Sequence, residues 1–183
     1  DTVGRRQYVL RVKNLETGEW LTDAVENVNA NLVWTDDNQS VLYVEKDATT
    51  LLGKRVRQHV LGASGDDKLI YEEPDDSYYM GIGRGKSNAF LYIGIYSTKQ
   101  TEYRFARADD PDLDFRPVLP RAEDHEYEVA DHDGRFIVLT NWQAKNFRLM
   151  SAPVATSADK STWQELIPTS DTVLIESFEV FKD

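Results

Sequence analysis

The sequence predicts an all-β protein, and three features of its pattern support this prediction. The apolar residues occur in short runs rich in aromatic and β-branched types, which are favoured in strands. Clusters of Asp, Asn and Gly separate these runs and are typical of turns. No window carries the 3.6-residue apolar stripe of an amphipathic helix. We therefore expect neither a helix-rich fold nor a βαβ fold.

Eight apolar runs have the length and composition of strands. In chain order, the predicted strands are residues 8–12, 41–44, 68–71, 90–95, 102–105, 135–139, 147–150 and 172–175. The predicted turns are residues 14–18, 36–38, 62–67, 109–112 and 131–134. The Gly-rich segment 81–85 superficially resembles a phosphate loop, but no helix follows it, so we interpret it as a hairpin connection.

The strands also recur at a regular spacing. Tyr8, Val56, Tyr103 and Phe147 each begin a short strand, a turn and a second strand, and they are separated by 48, 47 and 44 residues. Another hairpin lies in each interval, which makes four strands per period of about 45 residues, as in a propeller blade. The sequence therefore predicts a partial β-propeller of about three and a half to four four-stranded blades. A sandwich would not explain so regular a period.

The length of 183 residues suits one domain or a piece of a larger one. The repeat begins and ends at different points of the blade, whereas a closed four-bladed ring, which is physically possible, would close neatly. The chain begins at Asp1, without an initiator Met or a hydrophobic signal core. We expect a fragment of a longer polypeptide, or alternatively a chain whose leader has been removed. The expected location is cytoplasmic, with a periplasmic one left open.

Composition excludes several classes of function. The formal net charge of −11 argues against a nucleic-acid partner or an anionic membrane surface and favours cationic partners. The chain has no cysteine, which excludes disulfides, thiolate nucleophiles and Cys-ligated metals. No apolar run approaches the roughly 18 residues of a membrane span. No cofactor and no metal is predicted.

The chain lacks a recognisable nucleophile motif. Residues 62–65 lack the Gly-x-Ser-x-Gly spacing of a nucleophile elbow and are interpreted as a turn. His59, His125 and His132 do not have the spacing of a zinc-protease helix. His125 has acidic neighbours that could raise its pKa, but we interpret it and Glu126 as a packed corner whose mutation lowers stability. No catalytic or substrate-binding residue is assigned.

Three acidic stretches, residues 72–76, 109–112 and 131–134, are interpreted mainly as solvated turns, since they lack the calcium-loop pattern. One functional alternative stays open for them. Carboxylates at strand ends that face a propeller channel would attract basic peptides through their electrostatic field.

Longer segments carry a family resemblance. Residues 65–97 and 101–109 resemble the propeller of oligopeptidase B (protease II), a group within the prolyl oligopeptidase family of serine peptidases. The likeness continues in order through residues 115–121, 124–127, 139–141, 145–149 and 163–168. It covers most of the chain, from about residue 33 to residue 181.

The resemblance implies a seven-bladed propeller that caps an α/β-hydrolase domain of the same polypeptide. That C-terminal domain would supply the Ser-Asp-His triad, the oxyanion donors and the acidic residues that select Arg or Lys. None of these residues is carried over, because the hydrolase part is absent from residues 1–183. The parent would hydrolyse short basic peptides, and the propeller would limit access by size. The chain alone is expected to have no peptidase activity.

Two alternatives belong to other functional classes: a non-catalytic propeller scaffold that binds partners, and a relative of the peptidases that has lost the chemistry. An incomplete ring would also expose faces that normally pack on neighbouring blades. We therefore expect the isolated chain to self-associate through apolar surface around Trp34, Tyr79 and Trp142.

Overall fold

The computed structural model describes Asp1 and residues 4–181, and it confirms the all-β prediction. These residues form thirteen strands in three antiparallel sheets, with two 3-10 turns at Val154–Thr156 and Lys160–Thr162. No helix among them is long and apolar enough to cross a membrane. The chain divides into two compact units, Asp1–Gly83 and Arg84–Asp183, which are described in turn.

The first unit contains a five-stranded sheet with the order β1-β2-β3-β4-β5. Its strands are β1 (Tyr8–Lys13), β2 (Trp20–Trp34), β3 (Ser40–Lys46), β4 (Gly53–Val60) and β5 (Lys68–Glu72). The long strand β2 pairs twice, because its first half pairs with β1 and its second half with β3. The sheet therefore has one strand more than a four-stranded blade, because β1 and the first half of β2 form an additional hairpin at its edge.

Strand β3 forms the centre of the first unit. Residues 40–44 are all buried, which a strand covered on both faces requires. One apolar cluster joins Val41 and Tyr43 of β3 to Leu10 of β1 and Val28 of β2. The β1–β2 hairpin is thus attached to the sheet through a shared core as well as through strand pairing.

The other two sheets have four strands each. One has the order β6-β7-β8-β9 and contains β6 (Tyr79–Arg84), β7 (Phe90–Tyr96), β8 (Thr101–Arg107) and β9 (Arg116–Pro117). The other has the order β10-β11-β12-β13 and contains β10 (Tyr127–His132), β11 (Arg135–Thr140), β12 (Arg148–Pro153) and β13 (Gln164–Ile167). Three sheets and the extra hairpin agree with the lower end of the predicted blade count.

An aromatic cluster fills the core of the second unit. The ring of Phe105 meets Phe136 edge-on with centroids 4.8 Å apart, and Phe90 lies 5.7 Å from Phe105 and 5.6 Å from Phe136. Edge-to-face arrangements at such distances are favourable for aromatic rings. The cluster joins β7 and β8 to β11, so burial of these rings holds two sheets together.

Three local predictions were wrong. Residues 81–84 lie inside β6 and are not a hairpin connection. Asp131 and His132 belong to β10, and only Asp133 and Gly134 form the turn, with φ angles of 46° and 73° that suit a two-residue type I′ hairpin. Residues 172–175 are not a strand. The segment 168–181 is irregular, although Ile175 donates a backbone hydrogen bond to Asn146.

Candidate functional site

A polar cleft in the first unit brings together several titratable side chains around one histidine. The cleft has a volume of about 660 Å³ and lies between β2, β3, β4 and the loop of residues 61–67. We call it the histidine cleft and define it by Asp23, Tyr43, His59 and Asp67. Its remaining charged groups are Glu26, Glu45, Arg57 and Asp66.

His59 bridges two carboxylates at the base of this cleft. Its Nδ1 lies 2.9 Å from Oδ1 of Asp67, and its Nε2 lies 2.9 Å from Oδ1 of Asp23. A neutral imidazole has one N–H group, whereas an imidazolium has two. Both contacts are therefore hydrogen bonds at once only when His59 is protonated, and the ring then carries a positive charge between two negative ones.

Backbone and neighbouring side chains hold both carboxylates in place. The backbone N–H of Gly62 donates to Oδ1 of Asp23 at 2.7 Å. The hydroxyl of Tyr43 donates to Oδ2 of Asp67 at 2.8 Å, and Arg57 donates to the backbone carbonyl of Asp67 at 2.9 Å. The bridge thus belongs to a hydrogen-bonded network, which fixes the orientation of the carboxylates before the proton binds.

The environment shifts the pKa values of this group in directions that match the bridge. Burial opposes the charge on His59, but the hydrogen bonds to Asp67 and Asp23 outweigh it and raise the pKa of the imidazole above its ordinary value. The N–H of Gly62 and the ring of His59 lower the pKa of Asp23. Burial and the bond to Asp67 raise the pKa of the Tyr43 phenol.

The bridged histidine is unsuited to general-base catalysis. A general base must present a ring nitrogen to the proton that it removes, and carboxylates occupy both nitrogens of His59. Ser64 lines the same cleft, in the segment interpreted as a turn, and the sequence around it lacks the nucleophile spacing. Among the described residues, no cluster of three or more acidic, His or Cys side chains is arranged to hold a metal.

The predicted corner around His125 lies in the second unit and is packed. His125 is 5% exposed, its Nε2 lies 2.9 Å from the Thr140 hydroxyl, and its ring stacks on Tyr127 with centroids 5.3 Å apart. The backbone N–H of Glu126 donates to the side chain of Asn141 at 2.9 Å. This geometry matches the interpretation as a structural corner.

The environment of His125 lowers its pKa, whereas its acidic sequence neighbours suggested that the pKa could be raised. Burial, with a smaller contribution from the positive charge of Lys160, lowers the pKa of His125 to about 4. The possibility of a raised pKa was therefore wrong. The physical reason is that the buried ring loses hydration, and its hydrogen-bond partner is a neutral hydroxyl.

The acidic stretches divide into exposed and buried members. Asp109 is exposed and pairs with Arg107, as expected of a solvated turn. Glu73 and Asp131 are buried, however, and so they contradict that interpretation. Glu73 accepts hydrogen bonds from the Tyr71 hydroxyl at 2.9 Å and from the backbone of Asp75, and Asp131 accepts one from the Tyr92 hydroxyl at 3.0 Å.

The three aromatic residues expected on an apolar surface differ in how far they are exposed to solvent. Trp34 and Tyr79 are 38% and 59% exposed. Trp142 is partly buried, and the guanidinium of Arg148 lies 4.6 Å and the ammonium of Lys160 lies 5.1 Å from its ring. Its indole also meets that of another tryptophan edge-on. These cation–π contacts cover part of the ring, so Trp142 contributes less apolar surface than expected.

Sequence analysis missed the histidine cleft. Asp23, His59 and Asp67 come from β2, from β4 and from the loop before β5, and no motif has this spacing. Strand pairing brings them together, and one-dimensional spacing does not report which strands become neighbours.

The sequence was compared with known protein families and proteins. The profile of the family described as prolyl oligopeptidase, N-terminal β-propeller domain, matches residues 1–183. Dipeptidyl aminopeptidase BI of Pseudoxanthomonas mexicana is 47% identical over 184 residues, which cover 99% of this chain and 25% of that protein. Protease 2 of Moraxella lacunata is 28% identical over 188 residues, covering 96% of this chain and 27% of that protein.

Solved structures give the same similarity at the level of the fold. Oligopeptidase B from Leishmania major superposes with a TM-score of 0.88 at 28% identity, over 97% of this chain and 25% of that one. The closed form of oligopeptidase B from Trypanosoma brucei with covalently bound antipain gives 0.79 at 27% identity, over 88% of this chain and 23% of that one. The chain thus spans about a quarter of the length of these relatives.

Proposed function

The chain belongs to the prolyl oligopeptidase N-terminal β-propeller family, and from this premise we propose that it is part of the propeller of a serine peptidase that cleaves short peptides after Arg or Lys. The match of the family profile to residues 1–183 carries the proposal. The similarity to two oligopeptidase B structures supports the choice of this group within the family.

The chemistry would lie in a C-terminal α/β-hydrolase domain of the same polypeptide. There a histidine would take the proton of the serine during attack on the peptide carbonyl, and backbone donors would stabilise the oxyanion. Neither His59 nor His125 suits that role, because His59 is held by two carboxylates and His125 is buried and favours its neutral form. The isolated chain should therefore have no peptidase activity.

The propeller would act on the substrate before the chemistry does. Its blades would admit short, flexible peptides and exclude folded proteins. The net charge of −11 favours the approach of cationic peptides through long-range attraction, which weakens as salt is added. The acidic net charge thus supports a preference for basic substrates.

A second candidate activity is the release of dipeptides from free amino termini. The supporting observation is that the relative with 47% identity is named a dipeptidyl aminopeptidase, whereas the named protease has 28% identity. The two activities differ in whether the substrate needs a free α-amino group.

Matched peptides separate these activities in the full-length protein. The substrates would be one Arg-containing peptide with a free amino terminus, the same peptide acetylated, and a version with Ala in place of Arg. We expect cleavage after Arg in both the free and the acetylated peptide. Dipeptide release from the free peptide alone would overturn the endopeptidase proposal in favour of the second candidate.

The non-catalytic alternatives have their own test. The gene should continue into a Gly-x-Ser-x-Gly element followed by Asp and His, and Ala in place of that serine should abolish cleavage. A continuation without these elements, or a full-length protein that cleaves none of the peptides, would favour a scaffold or an inactive relative. Size gating predicts that the same Arg site inside a folded carrier protein resists cleavage.

We also propose that the isolated 183-residue chain self-associates. The exposure of Trp34 and Tyr79 supports this, because exposed apolar side chains favour association when they pack on a second copy. Size-exclusion chromatography should show a dimer or larger species, and double substitution of Trp34→Ser and Tyr79→Ser should reduce it. A stable wild-type monomer would contradict the proposal.

A further inference from the structure

We propose that the Asp23–His59–Asp67 bridge is a proton-operated latch that fastens the β1–β2 hairpin to loop 61–67. Protonated His59 closes the latch, and release of its proton to water opens it. The inference rests on the geometry of the histidine cleft and does not depend on the proposed peptidase activity.

The bridge spans two elements that are distant in sequence. Asp23 lies on β2, and Asp67 ends the loop that connects β4 to β5. His59, on β4, reaches one carboxylate with each ring nitrogen at 2.9 Å. After loss of the proton, one nitrogen carries a lone pair that faces a carboxylate oxygen, which replaces an attraction by a repulsion. The neutral imidazole can therefore donate one hydrogen bond, to one of the two carboxylates. Only the protonated, positively charged ring can donate to both.

Loop 61–67 has features that allow it to open when His59 loses its proton. Residues 62–66 are exposed, and Gly62 and Gly65 have φ angles of 73° and 113°, which non-glycine residues rarely adopt. The loop is attached to the neighbouring strands at both ends, through Gly62 to Asp23 and through Asp67 to His59, Tyr43 and Arg57. Three of these four attachments end on the carboxylates that His59 bridges.

Other charged and titratable groups also face the cleft. The additional carboxylates are Glu26 on β2, Glu45 on β3 and Asp66 in the loop. Arg57 on β4 donates to Glu45 at 2.6 Å, so its charge is largely engaged there. Tyr43 on β3 keeps its proton at neutral pH because its pKa is raised. The surplus of carboxylates around the cleft favours the protonated form of His59.

The sign of the effect follows from linkage. The pKa of His59 is raised in the closed state, so the closed latch is fully favoured below about pH 6.5 and loses stability as pH rises through the folded-state value. Each unit by which closure raises the pKa corresponds to about a tenfold change in the ratio of closed to open molecules. The latch thus weakens on the alkaline side.

Two mass-spectrometric measurements on the full-length protein test the latch. Exchange of the imidazole C2 hydrogen reports the pKa of each histidine, and backbone amide exchange reports the opening of loop 61–67 and residues 20–28. Both would be followed from about pH 6 to about pH 9, with labelling times corrected for the intrinsic pH dependence of amide exchange. The variants are His59→Gln, Asp23→Asn and, as the matched control, His132→Gln on the partly exposed histidine of β10.

The wild type should show a His59 pKa above about 6.5 and about a tenfold loss of protection in both segments toward alkaline pH. His59→Gln should show low protection at every pH, and Asp23→Asn should move the transition to lower pH. His132→Gln should behave as the wild type does. If His59→Gln fails to fold, the latch is tested by the pH dependence of protection in Asp23→Asn and in the wild type.

Three results would overturn the latch. They are a His59 pKa at or below the ordinary value, protection of both segments that is the same at both ends of the pH range, and the same alkaline loss of protection in His59→Gln as in the wild type. The peptidase assays do not enter these measurements, so failure of the latch and failure of the proposed function are distinguishable.

Discussion

His59 and His125 are equally buried, yet the protein treats their protons in opposite ways. The two residues are 7% and 5% exposed. His59 lies between two carboxylates and has a raised pKa, whereas His125 lies beside a hydroxyl and an aromatic ring and has a pKa of about 4. Burial alone would lower both values, since it disfavours the charged form. The comparison shows that the hydrogen-bond partners, rather than the burial, decide the charge.

The charges of the sequence neighbours would predict the opposite pKa shifts for the two histidines. His125 stands between Asp124 and Glu126, and His59 follows the basic pair Arg55 and Arg57. His125 lies before β10 and not in a strand, and the side chain of Arg57 donates to Glu45 of β3 at 2.6 Å. A sequence neighbour of a histidine is therefore not necessarily its hydrogen-bond partner. Asp23 of β2 and Asp67 of the loop before β5 set the environment of His59.

The largest expected effect comes from removal of one carboxylate of the bridge. Asp23→Ala leaves the His59 imidazolium and the N–H of Gly62 without their partner, and breaking a buried ion pair on one side costs about 3–5 kcal/mol. Urea unfolding at neutral pH measures this loss. Glu26→Ala is the matched control, because Glu26 is an exposed carboxylate on the same strand and its removal should change stability by less than about 0.5 kcal/mol. Equal effects of the two substitutions would break the comparison.

The next effect is the acid sensitivity of His125. Its pKa is lowered in the folded state to about 4, so the unfolded chain binds the proton first, and stability falls from about pH 6.5 downward until both states are protonated. The full loss is about 3 kcal/mol. The pH dependence of unfolding in the wild type, compared with His125→Gln, isolates this contribution from that of the carboxylates. An unchanged acid limb in His125→Gln would contradict the neutral assignment.

A smaller loss of stability is expected when the hydroxyl of Tyr127 is removed and its ring is kept. This change separates the polar contacts of the His125 corner from its ring contacts. The Tyr127 hydroxyl accepts the backbone N–H of Tyr103 at 2.8 Å and donates to the carbonyl of Leu119 at 2.7 Å. Tyr127→Phe keeps the ring on which His125 stacks but leaves both backbone groups unpaired, which costs about 1–3 kcal/mol. Thermal unfolding measures the loss, and Tyr8→Phe on a partly buried ring of β1 is the control. A loss no larger than that of the control would mean that ring contacts alone hold the corner.

Much of the fold could be predicted because it depends on local signals. Seven of the eight predicted strands overlap strands of the structure, since β-branched and aromatic runs between turn-formers specify hairpins locally. Residues 172–175 have the same composition but form no strand, because a strand also needs a partner to pair with. The double pairing of β2 was not predictable, since a 15-residue strand carries no mark of where one partner ends and the next begins.

The sequence by itself determined the all-β class, the repeating hairpins, the absence of cysteine chemistry and the family to which the chain belongs. These features depend on composition and on short-range order along the chain. The tertiary structure alone decided that Asp23 and Asp67 meet His59, that Glu73 and Asp131 are buried, and that cations cover one of the tryptophans. The physical reason is that the charge of a buried group depends on the atoms within hydrogen-bond distance, and strand pairing brings those atoms from remote parts of the chain.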